Sequence, residues 1–463
     1  AYVGVDALIA LAGDRLPRAD GIAVDATVLA FALVLSLLTG LIAGALPAWR
    51  AADANVQSVL REGGRTGTDG PARGRLRNGL VIAETALAVV LVIGATLMVR
   101  NFARLTAVDP GFSPERVVSF GVTMQSELFD GDPETVTARR EAYRTRMFTA
   151  LRELPGVIAV GGSKTMPLAA GGEPYAFSSS RGGESDLQPE GGVMIVTPEY
   201  FHALGVPLLA GRVFTERDAP PNDFAMIVNQ AFVQQYWPGS DAVGRYVYMG
   251  EEPIAIVGVI TDIRHDGVAS TPRATMYLPS PFAPRSSQKV FVRTTAAPTI
   301  MIATVRDAMQ RFDPELPITD LATLPSVVAE SIAQPRMLTT LLGLFGAIAL
   351  LLAALGMYGV IAYGVAQRTQ EIGIRMALGA RPGRVVRMVV GQAVALAAAG
   401  IALGLLAAFW LTRVLRSILF EVSTTDPLTF AFVPLILLVV AACAALLPAW
   451  RASRVDMNQL VNA

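Results

Sequence analysis

The run MLTTLLGLFGAIALLLAALGMYGVIAYGVAQ occupies residues 337–367, 31 residues without Asp, Glu, Lys or Arg, bounded by Arg336 and Arg368. About 20 apolar residues cross the hydrocarbon core of a bilayer as a helix, so this run is long enough to span it and to tilt or continue beyond it. Four more stretches share the pattern: 26–49 between Asp25 and Arg50, 78–99 between Arg77 and Arg100 with Glu84 inside, 388–412 between Arg387 and Arg413, and 427–450 between Asp426 and Arg451. A buried core helix of a soluble protein would account for one such run but not for five. The sequence predicts an α-helical, multi-pass integral membrane protein.

Composition agrees. Of 463 residues, 52% are apolar and 16% charged, with mean hydropathy +0.48; soluble domains carry about a quarter charged residues. That balance excludes a disordered chain, a nucleic-acid binder and a fully soluble enzyme. Formal net charge is zero, from 38 basic and 38 acidic residues, but the charges are segregated. Residues 106–335 hold 26 acidic and 18 basic residues, net −8, and the remainder is net +8. The single cysteine, Cys443, leaves no internal disulfide framework, and two histidines, His202 and His265, leave no histidine-rich metal site. The chain starts at Ala1 rather than Met, the pattern of a fragment or a processed product.

Arginines in short loops set the expected orientation. Arg50, Arg61, Arg65, Arg73, Arg75 and Arg77 fall in one loop, and Arg368, Arg375, Arg381, Arg384 and Arg387 in another. With Arg451 and Arg454 of the tail, these mark the cytoplasmic faces, which puts the acidic 106–335 segment outside. Pro47-Ala48-Trp49-Arg50-Ala51 recurs as Pro448-Ala449-Trp450-Arg451-Ala452 at an offset of 401, and Asp25 then matches Asp426. The first helix thus reads as the last helix of a preceding, similar unit. The expected organisation is 1–52 as the end of that unit, with its helix at 26–49, then a cytoplasmic linker at 53–77 and a spanning helix in 78–105. A large extracytoplasmic α+β domain follows at 106–335, then a second membrane domain at 336–463 with spanning runs at 337–367, 388–412 and 427–450.

Within the outer segment, Glu141 to Leu154 and Thr299 to Phe312 have helical spacing, Ile254 to Ile260 reads as a strand, and Met226 to Val228 as a strand leading into a helix through Phe232 to Tyr236. Gly and Pro are dense from Pro167 to Gly192, which reads as loop. Gly161-Gly162-Ser163-Lys164-Thr165 resembles a phosphate loop but lacks Gly directly before the Lys and five residues earlier, so a turn and strand are expected instead. His265 has no second histidine or cysteine nearby and reads as a surface turn. No catalytic constellation and no metal site emerge. Glu84 lies about two turns inside its spanning run, either bonding between helices or acting in coupling or transport.

The most informative stretch for function is Arg368-Thr369-Gln370-Glu371-Ile372-Gly373-Ile374-Arg375-Met376-Ala377-Leu378-Gly379-Ala380, on the arginine-rich side of a spanning helix. Ile372, Met376 and Ala380 recur at four-residue spacing, a narrow apolar face flanked by Glu371 and Arg375. Such a helix can dock in a partner's groove or lie on lipid. The run Glu371 to Ala380 closely resembles the coupling-helix signature of FtsX-like ABC transporter permeases. The outer segment resembles the MacB-like periplasmic core domain through Thr197-Pro198-Glu199-Tyr200-Phe201, Gly205 to Arg212, Val228-Asn229-Gln230-Ala231-Phe232, Tyr236-Trp237-Pro238-Gly239 and Asp109-Pro110-Gly111-Phe112. With the repeat, the whole is similar to the C-terminal part of the duplicated permeases first named from acidobacteria. The resemblance implies a bacterial inner-membrane permease with no ATPase or cofactor of its own. Glu371, Ile372, Gly373, Ile374, Arg375, Met376, Ala377, Leu378, Gly379 and Ala380 would meet a separate cytoplasmic ABC ATPase dimer, which carries the ATP and Mg. Closure of that dimer would move the outer domain, which would meet an adaptor or outer-membrane protein. Macrolides, lipoproteins, peptides and lipids all remain open as substrates. An ATP-driven regulator of a cell-wall hydrolase is the alternative, and a membrane-anchored enzyme a third reading.

Overall fold

The computed structural model describes residues 25–52, 71–124, 131–169, 171–183, 186–188, 190–215, 217–218, 225–279, 287–378, 381–414, 423 and 425–453. The chain divides into two compact units, one of residues 1–104 and 333–463, the other Leu105–Ile332.

The first unit is helical. It comprises α1 (Ala26–Ala52), most of α2 (Pro71–Ala107), and, after the second unit, α8 (Ala333–Gln367), α9 (Thr369–Ala377), α10 (Pro382–Leu411) and α11 (Pro427–Ala452). Among the described residues four helices are long and apolar enough to cross a membrane: Arg77–Ala107, Ala333–Gln367, Pro382–Leu411 and Pro427–Arg451. In α1 the described side chains, Ala26 to Leu41, are all exposed. Each of α1 and α11 starts behind an aspartate: Asp25 accepts from Thr27 N at 3.1 Å, and Asp426 accepts from Thr429 N at 2.8 Å and Thr429 Oγ1 at 2.7 Å.

Helices α2 and α8 run antiparallel, as their cross-contacts show. The Arg77 guanidinium lies 4.4 Å over the Tyr363 ring, the Glu84 carboxylate fills the space beside Gly356, Ala95 packs on Gly346, and Thr339 Oγ1 donates to Met98 O at 3.1 Å. Against α10 the close approach is made by glycines. A Cβ at Gly400 would lie 2.6 Å from Thr85 Cβ, and one at Gly404 would lie 2.6 Å from Val89 Cβ and 2.7 Å from Ala86 O. These two glycines stand four apart on one helix face, the spacing that lets helix backbones approach inside a membrane, where no hydrophobic drive between helices exists. Helix α11 packs along both α8 and α10 through Val433, Leu437, Ala441, Ala445 and Ala449, a buried stripe at every fourth residue. At its start Asp426 also pairs with Arg100 of α2.

The second unit is built on a 10-stranded mixed sheet. Its strands are β1 (Val117–Thr123), β2 (Val157–Ser163), β3 (Val193–Val196), β4 (Leu208–Gly211), β5 (Ala225–Asn229), β6 (Tyr246–Met249), β7 (Glu252–Ile260), β8 (Met276–Pro279), β9 (Ser287–Thr294) and β10 (Ile318–Thr323), and its helices are α3 (Pro133–Arg152), α4 (Tyr200–Leu204), α5 (Gln230–Tyr236), α6 (Pro298–Phe312) and α7 (Leu324–Ser331). The order is β10-β1-β9-β2-β3-β8-β5-β7-β4, with β6 also on β7. Pairs β3/β8 and β5/β7 are parallel and the others antiparallel.

The central strands are buried on both faces. Phe120, Val122, Val290 and Val292 meet α3 and α6 through Met147, Phe148, Leu151, Val305 and Met309. The alternate residues Val117, Ala159 and Phe291 meet α4 through Tyr200, Phe201 and Leu204. Helix α3 begins at Pro133, two turns before the Glu141 that the apolar spacing predicts, because Asp132 caps it by accepting from Thr135 N at 3.2 Å.

Candidate coupling site

Helix α9 follows α8 after one non-helical residue, Arg368, whose φ of −102° and ψ of 13° leave the helical well. The joint is held by Thr369 Oγ1 donating to Ala366 O at 2.8 Å and by Ile372 N donating to Arg368 O at 2.9 Å. The two sides of α9 differ. Ile372 is 3% exposed and joins the helical core with Val385, Val389 and Ile361, and half-buried Met376 packs against the same core. Ile374 and Leu378 are 63% and 83% exposed, flanked by the exposed Glu371–Arg375 pair.

The face singled out by four-residue spacing, Ile372 and Met376, is thus turned inward to hold α9 against α10. The surface open to a partner is Ile374, Leu378, Glu371 and Arg375. Gly373 is buried. Ala377 ends the helix, and Gly379 and Ala380 lie outside the described residues.

Between α9 and the first turns of α10 lies a cavity of about 300 Å³ lined by Ile372, Arg375, Arg384, Val385, Arg387 and Met388. Arg375 is committed on two sides, to Glu371 and, through Nη1, to Met388 Sδ at 3.4 Å. Arg384 and Arg387 stand three apart on α10 and are exposed. Glu84, read from sequence as either bonding between helices or acting in coupling or transport, is half-buried on α2 with its carboxylate beside Gly356 of α8, about two helix turns from the Arg77–Tyr363 contact.

In the outer unit the motif residues support the fold. The Asn229 side chain is fully buried; it accepts from Phe232 N at 3.1 Å and Thr275 N at 2.8 Å and donates to Arg273 O at 2.8 Å, tying three segments together. Arg212 grips Asp218 through two bonds of 2.6 Å; burial pushes the carboxylate up, and the bonds from Arg212 and Thr215 together outweigh it and hold it below its usual range. Tyr200 and Phe201 centre an aromatic cluster with Phe291 and Tyr277, at ring separations of 5.2–5.7 Å.

The apparent phosphate loop is the end of β2. A Cβ at Gly161 would lie 2.6 Å from Tyr200 Cα, so glycine there admits α4, and Lys164 is paired with Glu173. His265 corrects the expectation of a surface turn. It is 5% exposed, with Nε2 2.9 Å from Tyr277 Oη, and burial pushes its imidazole down to about 4. Its ring lies against Tyr277, a member of a buried cluster with Phe201 and Ile263, which was not visible from its Asp and Arg neighbours in sequence.

Comparison with known families bears on both units. Residues 78–312 match the MacB-like periplasmic core domain, and residues 343–457 match the FtsX-like permease C-terminal domain. The chain belongs to the FtsX-like, MacB-like permease family. It is 25% identical to the macrolide export ATP-binding/permease protein MacB of Azoarcus sp. (strain BH72) over 79% of its own length and 55% of that protein's. The MacB of Bartonella henselae is 25% identical over 52% of this chain and 38% of that protein, and the uncharacterized ABC transporter permease YknZ of Bacillus subtilis 24% identical over 43% and 52%. The chain thus spans about half the length, or less, of these relatives. Family and helices together make it a multi-pass protein of the inner membrane with an inserted extracytoplasmic domain.

Proposed function

We propose that this chain is the transmembrane subunit of an ABC transporter, coupling ATP hydrolysis by a separate cytoplasmic ATPase dimer to movement of its outer unit. ATP and Mg would be held by that partner. The observation that carries the reading is α9. With the core domain outside and α8 crossing once, α9 lies at the cytoplasmic end of α8, anchored by Ile372 and offering Ile374 and Leu378 to a partner. Two exposed branched apolar side chains beside a charge pair are what a groove on another protein recognises, and the Glu371–Arg375 pair sets its register.

Force applied to α9 would reach the outer unit through α8, which runs 35 residues without a break, and through α2, which runs 37. An adaptor or outer-membrane protein would receive the movement. Relatives are named for export of macrolides, syringafactin and pyoverdine, so export is the direction we favour, with the substrate chemistry left to experiment. We also read α1 as the counterpart of α11 in a preceding, similar unit, on the shared Pro-Ala-Trp-Arg-Ala ending and the shared Asp cap.

The test is capture of the cognate ATPase by the purified full chain. Ile374→Asp and Leu378→Asp should each weaken capture at least about tenfold, since an apolar contact is replaced by a buried charge, with the melting temperature unchanged. Glu371→Lys should weaken it through like-charge contact. Full capture by all three variants would refute the assignment of α9.

A further inference from the structure

The cavity between α9 and α10 has a chemistry that ATPase docking does not use. Its rim carries Arg375, Arg384 and Arg387, and its floor is Ile372, Val385 and Met388. Arg375 is neutralised by Glu371, so the uncompensated charge belongs to Arg384 and Arg387; among the described residues neither has a carboxylate partner. Both precede the uncharged run that begins at Met388, by one and four residues. At 1.5 Å per residue their Cα atoms stand within about 6 Å of the hydrocarbon edge, the depth of lipid headgroups.

The floor is not a closed apolar patch. A smaller recess of about 20 Å³ shares Ile372 and Met388 with the cavity and runs on between α8 and α10 past Val360, Gly364 and Val389, with Arg368 and Gln392 also in its lining. A ligand seated here therefore meets guanidinium groups at the rim and apolar side chains, Ile372, Val385 and Met388, beneath them. A free phosphate uses only the first, and an acidic protein surface has no use for the second.

We propose that this cleft binds the phosphate of an anionic phospholipid of the cytoplasmic leaflet, with Arg384 and Arg387 holding the headgroup and the exposed Met388 of α10 meeting the start of an acyl chain. Guanidinium forks suit phosphate oxygens, and basic pockets between helices on the cytoplasmic side are where anionic headgroups are held. A lipid in this position would brace α9 against α10 from beneath, next to Ile372, and leave Ile374 and Leu378 open.

Titration of the full chain in detergent with phosphatidylglycerol, read by native mass spectrometry, tests this directly. The wild-type chain should retain one lipid saturably. The Arg384→Gln/Arg387→Gln double variant should bind it about tenfold more weakly or worse, as expected from loss of two charges at about tenfold or less each. The Arg384→Lys/Arg387→Lys pair, with its charge kept, should lie closer to wild type than the glutamine pair. Phosphatidylcholine should show no saturable binding, millimolar inorganic phosphate should not displace the lipid, and ATPase capture by the glutamine pair should be unchanged. Equal retention by wild type and the glutamine pair overturns the proposal, as does equal loss by the lysine and glutamine pairs, or displacement by inorganic phosphate. Loss of ATPase capture with lipid binding intact would assign the cleft to the protein interface instead.

Discussion

Gly404 shows how much of this membrane unit rests on what is missing from a side chain. Its α-carbon faces Val89 and the Ala86 carbonyl so closely that any Cβ would force α2 and α10 apart. Gly404→Leu is expected to lower stability by about 1–3 kcal/mol, the range for overpacking a close-packed site, and a fall in the detergent melting temperature measures it. Gly359, with open space around its Cβ position, is the control that should tolerate alanine. His265 offers a second test at this scale. Its folded value of about 4 lies below the roughly 6.5 of an unfolded histidine, so the unfolded chain takes up the proton first as pH falls. The stability that neutral His265 contributes is complete above pH 6.5 and is lost progressively as pH drops toward 4, by roughly 3 kcal/mol in all. Asp266 opposes part of that shift, and Tyr277 is the hydrogen-bond partner facing the ring. The melting temperature of the outer unit should therefore fall between pH 6.5 and 4, and His265→Gln should flatten that fall while lowering the value at neutral pH.

At the scale of elements, α9 divides its apolar residues between two duties. Ile372→Ala removes a side chain from the core and should cost about 2–5 kcal/mol, whereas Ile374→Ala should leave the melting temperature within error of wild type; equal effects would mean that α9 does not pack as described. The amphipathic character of α9 was legible from Glu371 to Arg375, but spacing alone could not say which apolar residues face inward, since that depends on where α10 returns. The spanning helices were the most legible, because lipid requires apolar residues on every face and leaves one continuous signal. Strand β7 and helices α5 and α6 were also legible, from a compact apolar run, a turn and a periodic stripe. Strands β1 and β9 were not picked out, and only the end of β2 was: both faces of β1 are buried, so Val117 to Val122 shows no polar alternation. Helix α3 was read two turns short because its first turns are polar and only the Asp132 cap marks its start. The family motifs of the outer segment were recognisable as a signature before Asn229, Tyr200 and Arg212 gave them structural reasons. The glycine contacts of α10 and the Arg100–Asp426 pair join residues hundreds apart in sequence, and nothing local announces them.

For the whole molecule the central claim is mechanical. Helix α8 carries α9, the proposed docking element, at one end and meets the second unit at Ile332 at the other; as an unbroken helix of 35 residues it measures about 52 Å, more than the roughly 30 Å of hydrocarbon it must cross. Helix α2 likewise continues to Ala107, past the point where the first unit ends. In the proposed mechanism, stiffness in these two connections would convert ATPase closure into movement outside, and several glycines placed after both Ala107 and Ile332 would remove it. The decisive measurement is hydrogen exchange over residues 105–332 in the chain–ATPase complex, compared with and without ATP and Mg. The wild-type complex should show an ATP-dependent change in protection across the outer unit, and the glycine-inserted chain should lose that change while capturing the ATPase and hydrolysing ATP at near-normal rates. If the inserted chain shows the same ATP-dependent change as wild type, transmission through α2 and α8 is contradicted.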